Sequence, residues 1–309
     1  MSGLRVHQAG LLIQIEDGGR IGYGDIGITQ SGAADRYSAA WANRLLLQPV
    51  DTPLLEILLG GVSLVSEADT VIVLTGAEGA VKINGREAAL WRAHPLSRGD
   101  RIEIGMAKRG LRLYLAVKSG FACQPELGSC ATTLKEGFGR SVEQGDLLLC
   151  STGLSSPVCS APGHLIPDYP DTITLRVLLG YQAEGFDEKQ RARFFSTPYR
   201  VTQATDRMGC RLQGAAVTYG GGELISEPIA YGSIQIPADG QPIVLLNERQ
   251  TIGGYPKIGS VIPMDCYRLA QARPGTRIVF QETGLEEARA VTQELLEFID
   301  APYGLPSPP

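Results

Sequence analysis

The stretch Asn247–Lys257, NERQTIGGYPK, sets five polar or charged residues and a Gly-Gly-Tyr-Pro run directly behind the apolar segment Ile243–Leu246. Gln250 and Thr251 offer neutral donors and acceptors suited to a planar amide, and Glu248 is placed to act as a base or to orient one. Gly253 and Gly254 let backbone N–H groups approach a ligand, and Tyr255 and Lys257 are expected to close over it. Read blandly, the run is a β-hairpin with a Gly-Gly turn, but such turns rarely need Gln-Thr beside them. A second glycine-rich run, DGGRIGYGDIGITQSGAAD, covers Asp17–Asp35. Arg20 brings a forked donor for carboxylate or phosphate, and Ser31 is expected to open a helix whose first amides favour an anion. Asp35 is a candidate substrate contact, or else serves the helix dipole. Arg207, in DRMGCRLQG, is a further anion-binding candidate, with an ion pair to Asp206 or Glu227 as the structural alternative.

Several catalytic engines are absent. The chain has no G-x-x-x-x-G-K-[ST] phosphate loop and no G-x-S-x-G. Gly22-Tyr-Gly-Asp-Ile-Gly27 satisfies G-x-G-x-x-G in form, but no helix opens inside it and no acid follows on a second strand, so dinucleotide binding is not expected. The three histidines, His7, His94 and His164, are dispersed, which argues against a Ser-His-Asp triad. The chain offers donors around a developing charge rather than a nucleophile.

These loops need a scaffold, and the residues between them read as short strands punctuated by 38 Gly and 19 Pro. Strand runs are expected at 11–15, 62–65, 71–74, 81–83, 101–104, 111–117, 147–150, 172–179, 234–236, 243–246 and 276–280. Short strands at this spacing predict sandwich or barrel architecture. Three helices are expected. The first is capped by Ser31, runs to about Leu47 and buries Tyr37, Trp41, the Arg44 stem and Leu45. The second starts at Asp187 with Gln190, and the third opens on a Thr283/Glu286 capping box and runs to about Ile299. The remaining APYGLPSPP reads as a tail.

The chain also repeats itself. Glu56–Leu74 aligns without a gap on Glu227–Leu245, RGDRIEI (Arg98–Ile104) matches RPGTRIVF (Arg273–Phe280), and DGGRIGY (Asp17–Tyr23) resembles DRMGCRL (Asp206–Leu212). This predicts two related β-domains, 1–155 and 168–309, meeting in the Ser-, Pro- and Gly-rich stretch 151–168. In the repeat, the counterpart of the 248–257 loop is Ala77–Gly79, which lacks Gln, Thr and Gly-Gly-Tyr.

With 43% hydrophobic and 20% charged residues, the 309-residue chain reads as an ordinary globular protein. No run reaches about 18 apolar residues, and MSGLRVHQAG lacks a signal-peptide core, so no membrane span and a cytoplasmic location are expected. A net charge of −5 without a Lys/Arg cluster argues against nucleic acid as a partner. The six cysteines form no C-x-x-C, which predicts reduced, mostly buried thiols and no metal site.

At its long motifs the sequence resembles the family variously called allophanate hydrolase subunit 2-like, biotin-dependent carboxyltransferase-like or KipA-like. The motifs are DGGRIGYGDIGITQSGAAD, LLEILLGG, YLAVKSGF, LGSCATTLK, DRMGCRLQG, GSIQIPADGQPIVL, QTIGGYPKIG and YRLAQARPG. The resemblance implies a mainly β fold of two tandem cyclophilin-like β-barrel domains with a few peripheral helices. It implies a role in ATP-dependent 5-oxoprolinase, which opens a lactam to glutamate with a KipI-like B subunit and an A subunit as partners. ATP with Mg is the implied cosubstrate, and no biotin is expected on this chain. In that reading Arg20, Glu248, Gln250 and Thr251 are catalytic, while Ser31, Asp35, Arg207, Gly253, Gly254, Tyr255 and Lys257 bind substrate. The alternatives are the carboxyltransferase part of a urea- or amide-carboxylating system, and a KipA-like antagonist of a KipI-like kinase inhibitor. The chain departs from the family pattern with Glu248 where Asp is usual, Ile252 where a second Thr is usual, and Leu47-Gln48-Pro49 after the first helix.

Overall fold

A computed structural model describes residues 2–153 and 159–301. Residues 154–158 of the expected boundary and 302–309 of the expected tail lie outside them. By contacts the chain divides into two units. The first takes in 1–20, 31–169 and 299–309; the second takes in 21–30 and 170–298.

The first unit carries β1 (Gly3–Ala9), β2 (Leu12–Glu16), α1 (Arg36–Arg44), β3 (Leu54–Leu58), β4 (Val62–Ser66), β5 (Thr70–Ile83), β6 (Arg86–Glu87), β7 (Ala93–Leu96), β8 (Arg101–Val117) and β9 (Leu147–Leu149). These form a nine-stranded sheet with the path β2-β3-β8-β4-β1-β9, to which β5 adds along β8. The runs expected separately at 71–74 and 81–83 are one strand, as are those at 101–104 and 111–117. Their middles, TGAEGA and GMAKRG, are poor in large apolar side chains. They stay in the sheet because β5 and β8 pair along their length, absorbing the mismatch at bulges between Gly76 and Val81. Inward-facing Leu4, Ile13, Leu55, Ile57, Leu64, Ile72, Leu113 and Leu115 build the core.

The second unit carries β10 (Thr172–Leu179), α2 (Glu188–Ser196), β11 (Tyr199–Val201), β12 (Gly209–Gln213), β13 (Glu227–Pro228), β14 (Ser233–Gln235), β15 (Ile243–Leu245), β16 (Ile252–Gly253), β17 (Lys257–Val261), α3 (Pro263–Leu269), β18 (Arg277–Glu282) and most of α4 (Leu285–Asp300). Seven strands close into a barrel in the order β10-β17-β14-β15-β12-β11-β18. Ile234 and Ile258, with Phe186, Phe194 and Phe280, fill its interior. The mainly β, barrel-type architecture agrees with the expectation, with one barrel closed and the other sheet left open.

Local structure differs from expectation at two helices. Ser31 does not open a helix: it lies in left-handed backbone at φ 53°, and α1 begins at Arg36 with Asp35 as its cap. Asp35 wins because its carboxylate accepts from both the Ser38 N–H (3.1 Å) and the Ser38 Oγ (2.6 Å). Helix α2 is capped by Asp187 through Gln190 N, as expected. At the third helix, Thr283 Oγ1 donates to Glu287 rather than completing a box with Glu286. The repeat aligns strand on strand in sequence but not in pairing. Strands β14 and β15 bond each other directly, whereas their counterparts β4 and β5 both pair with β8. Cys123 and Cys130, expected as free thiols, form a disulfide, because the intervening turn brings their Cα atoms to 6.1 Å.

Candidate functional site

The two ends of the Asp17–Asp35 run lie in the first unit and have almost no ladder partners, so side chains fasten their backbone. Asp17 accepts from the N–H groups of Gly19 (2.8 Å) and Cys130 (2.6 Å) and from Ser129 Oγ (2.6 Å). Gly32, at φ 87°, passes so close to this turn that a Cβ there would lie 2.9 Å from Gly19 N. Arg20 is 2% exposed. Its Nη2 donates to Ala131 O (2.6 Å), its Nη1 to Thr133 Oγ1 (3.2 Å), and its guanidinium lies 4.2 Å from the Phe138 ring centre. Its Nε is buried and has no hydrogen-bond partner among the described residues. Ser31 Oγ donates to Thr132 O at 3.1 Å.

Asp35 belongs to a buried network. Its N–H donates to Tyr114 Oη (2.8 Å), whose hydroxyl donates to Glu56 Oε2 (2.9 Å). Glu56 also accepts from Ala34 N–H (2.9 Å) and Arg112 Nε (3.2 Å). Burial first, and then the carboxylates of Glu56 and Asp35, hold the Tyr114 hydroxyl far above the usual phenol range. Asp35, Tyr114 and Glu56 therefore knit α1 to the sheet.

In the second unit the chain leaves β15 at Leu245 and crosses the barrel end. Glu248 is 7% exposed and accepts from Arg207 Nε at 2.5 Å, while Glu248 N–H donates to Arg207 O at 3.0 Å. This carboxylate, rather than Glu227, answers Arg207. Gln250 Nε2 donates to Gln235 Oε1 (3.2 Å), and Thr251 O accepts from Ile229 N–H (3.0 Å). The short strand β16 then pairs with β13, setting Gly253 opposite Glu227. A Cβ on Gly253 would sit 2.5 Å from Ile229 Cδ1 and 3.0 Å from Gln235 Nε2, so a larger residue there would push these side-chain ends aside. Ile252, Gly254 and Tyr255 remain exposed.

Lys257 closes the loop. Its Nζ forms an ion pair with Glu227, and its N–H donates to Gln182 Oε1 at 2.8 Å. Glu227 further accepts from Gln182 Nε2 (2.9 Å) and from the Tyr181 hydroxyl. Hydrogen bonds from Lys257 and then Tyr181 hold the Glu227 carboxyl below its usual range. Arg249 donates to Ile229 O (3.0 Å) and Leu246 O (3.3 Å) over the Tyr231 ring; burial lowers its pKa from the usual guanidinium value.

The structure thus brings together Arg207, Glu248, Gln250, Thr251, Gly253, Gly254, Tyr255 and Lys257 in the second unit, and Arg20, Ser31 and Asp35 in the first. Sequence reasoning missed Gln182 and Gln235 and placed Glu227 only as a partner for Arg207. A polar Gln in the alternating run GSIQIP was a usable signal for Gln235. Among the described residues no group of three or more His, Cys, Asp or Glu is arranged to hold a metal. None of their helices is long and apolar enough to cross a membrane.

Residues 26–282 match the family described as carboxyltransferase domain, subdomain A and B. The chain belongs to this family. It is 34% identical over 304 residues to the 5-oxoprolinase C subunit of Escherichia coli strain K12, covering 96% of each chain. It is 32% identical to the 5-oxoprolinase C subunit of Haemophilus influenzae, covering 93% of each. Among solved structures, it superposes on the Kluyveromyces lactis urea carboxylase with a TM-score of 0.89 at 25% identity, covering 99% of this chain and 30% of that one. As a member of the carboxyltransferase domain family it therefore has relatives that it matches over nearly their whole length and longer ones of which it spans under a third.

Proposed function

We propose that this chain is the C subunit of an ATP-dependent 5-oxoprolinase, acting with a KipI-like B subunit and an A subunit to open 5-oxo-L-proline to L-glutamate. The observation that carries this reading is the end-to-end likeness to the 5-oxoprolinase C subunit of Escherichia coli. ATP with Mg is the cosubstrate: phosphoryl transfer to the lactam oxygen releases ADP and activates the carbonyl carbon, one water adds as the ring C–N bond breaks and the nitrogen takes up a proton, and a second water releases the phosphate. The protein's part is then to bind the amide and stabilise charge as it develops. Gln250 and Thr251 offer the neutral pair for the lactam, the Gly253-Gly254 backbone approaches it closely, and Arg207 supplies a cationic donor. Glu248 orients Arg207 by accepting its Nε. Lys257, held by Glu227, and exposed Tyr255 close the loop over the substrate.

The test is coexpression with the B and A subunits and measurement of 5-oxoproline-stimulated ATP hydrolysis. Replacing Gln250 by Ala is expected to lower kcat/KM by about 100-fold or more, the scale for removing a donor to a transition-state charge. Undiminished turnover in the Gln250→Ala variant sinks the site assignment, and no stimulation in the wild-type complex sinks the reaction. The likeness to urea carboxylase supports a second reading, carboxyl transfer from a biotin carried by a partner to an amide. It predicts dependence on bicarbonate and a biotinylated protein, which the same assay detects.

A further inference from the structure

The Cys123–Cys130 pair takes no part in the chemistry proposed above, yet it adjoins the residues that hold Arg20 and Ser31. The two sulfurs are bonded, both cysteines are half-buried, and 124–128 between them are exposed, so a small dithiol has access. The chain between them doubles back at a single bridge, Glu126 N–H to Ser129 O (2.9 Å) and Ser129 N–H to Glu126 O (3.2 Å), with no strand to support it. The segment that starts at Cys130 bears the load of the Asp17–Asp35 run. Cys130 N–H donates to Asp17, Ala131 O and Thr133 Oγ1 receive Arg20, Thr132 O receives Ser31, and Thr132 N–H donates to Ile15 O (2.9 Å). The other four cysteines, Cys150, Cys159, Cys210 and Cys266, form no disulfide.

We infer that the Cys123–Cys130 disulfide is a reversible thiol switch whose oxidised form holds Cys130–Thr133 in place around Arg20 and Ser31. Its reductant is a dithiol. One thiolate attacks a cysteine sulfur, a mixed disulfide forms, and the other cysteine leaves as thiolate. The second thiol then displaces the protein sulfur, so two electrons and two protons pass to the protein and the reductant ends as its own disulfide. Opening this short ring returns chain entropy to the 123–130 loop and loosens the adjoining 131–133 backbone.

The full chain alone tests this, independently of the reaction it serves. In denaturant without reductant, iodoacetamide is expected to add to the four cysteines outside the disulfide, and after dithiothreitol to all six. In the native chain, reduction is expected to speed amide hydrogen exchange at Cys130–Thr133 by between about tenfold and about sixtyfold, the range set by closing a ring of this length, while β8 amides stay unchanged. The Cys123→Ser/Cys130→Ser chain should show the fast rate with or without reductant, with protected β8 amides reporting that it folds. Six adducts without reductant, or exchange at Cys130–Thr133 that ignores reduction, overturns the inference.

Discussion

At Ala77–Gly79 the first unit continues β5 as a strand to Ile83, whereas at the matching Glu248–Gln250 the second unit has already left β15 at Leu245. The difference decides where polar side chains go. In the first unit the edge of β5 is satisfied by β8, and polar groups are drawn into fastening the irregular backbone at the ends of the Asp17–Asp35 run. Arg20, Ser31 and Asp35 each bond the protein itself and are nearly inaccessible. In the second unit charged pairs pin the loop at its two ends, Arg207–Glu248 and Lys257–Glu227, and leave Ile252, Gly254 and Tyr255 at the surface between them. Similar glycine-rich composition thus builds a rigid joint in one place and a presented loop in the other.

The comparison breaks most directly at Glu56. Replacing Glu56 by Ala removes the carboxylate paired with the buried Arg112 guanidinium and the acceptor for Tyr114 and Ala34. A loss of about 3–5 kcal/mol in denaturant unfolding is expected; a loss below about 1 kcal/mol would show that this network is not a joint. Glu248→Ala removes a pair that sits at the barrel mouth, with side-chain exposures of 10% and 8%. It is expected to cost about 2 kcal/mol of stability and a larger share of 5-oxoproline-dependent turnover, measured on the assembled complex. Equal losses in both would place Glu248 with the joints instead. The smallest effect concerns Glu227, whose depressed pKa makes its ion pair fully stabilising above the ordinary Glu value of 4.5 and progressively lost as pH falls below it. Melting curves of wild type and Glu227→Gln should differ by at most about 1 kcal/mol at neutral pH, because the site is partly exposed. That difference should shrink below pH 4.5; a constant difference would remove the pair from the loop's anchors.

Much of the fold was legible because alternation survives in short windows: the 172–179 run was read at its observed bounds, and those at 62–65, 243–246 and 276–280 to within two residues. Strands β1, β3, β6, β7, β11, β12, β13, β16 and β17 were missed. Leu54–Leu58 is buried along most of its length, so it shows no alternation, and β17 carries Gly and Ser in its middle. The first helix was started at Ser31 because a serine before an apolar stripe satisfies a local rule, whereas the cap was chosen by Asp35's reach to two donors on Ser38. The 248–257 loop was legible from composition. Its anchors Gln182, Gln235 and Glu227 were not, because their partners lie 15 to 75 residues away along the chain.

The sequence by itself determined the mainly β class, the placing of the polar loop behind an apolar strand, and the absence of phosphate-loop and nucleophile-elbow motifs, since each rests on contacts between residues near in the chain. Only the tertiary structure decided that the barrel closes on β10 and β18 in parallel, that Arg207 answers Glu248, and that Cys123 and Cys130 join. Those outcomes depend on which distant groups meet in a desolvated place, where an unmatched charge or donor is costly, and local pattern carries no record of such meetings.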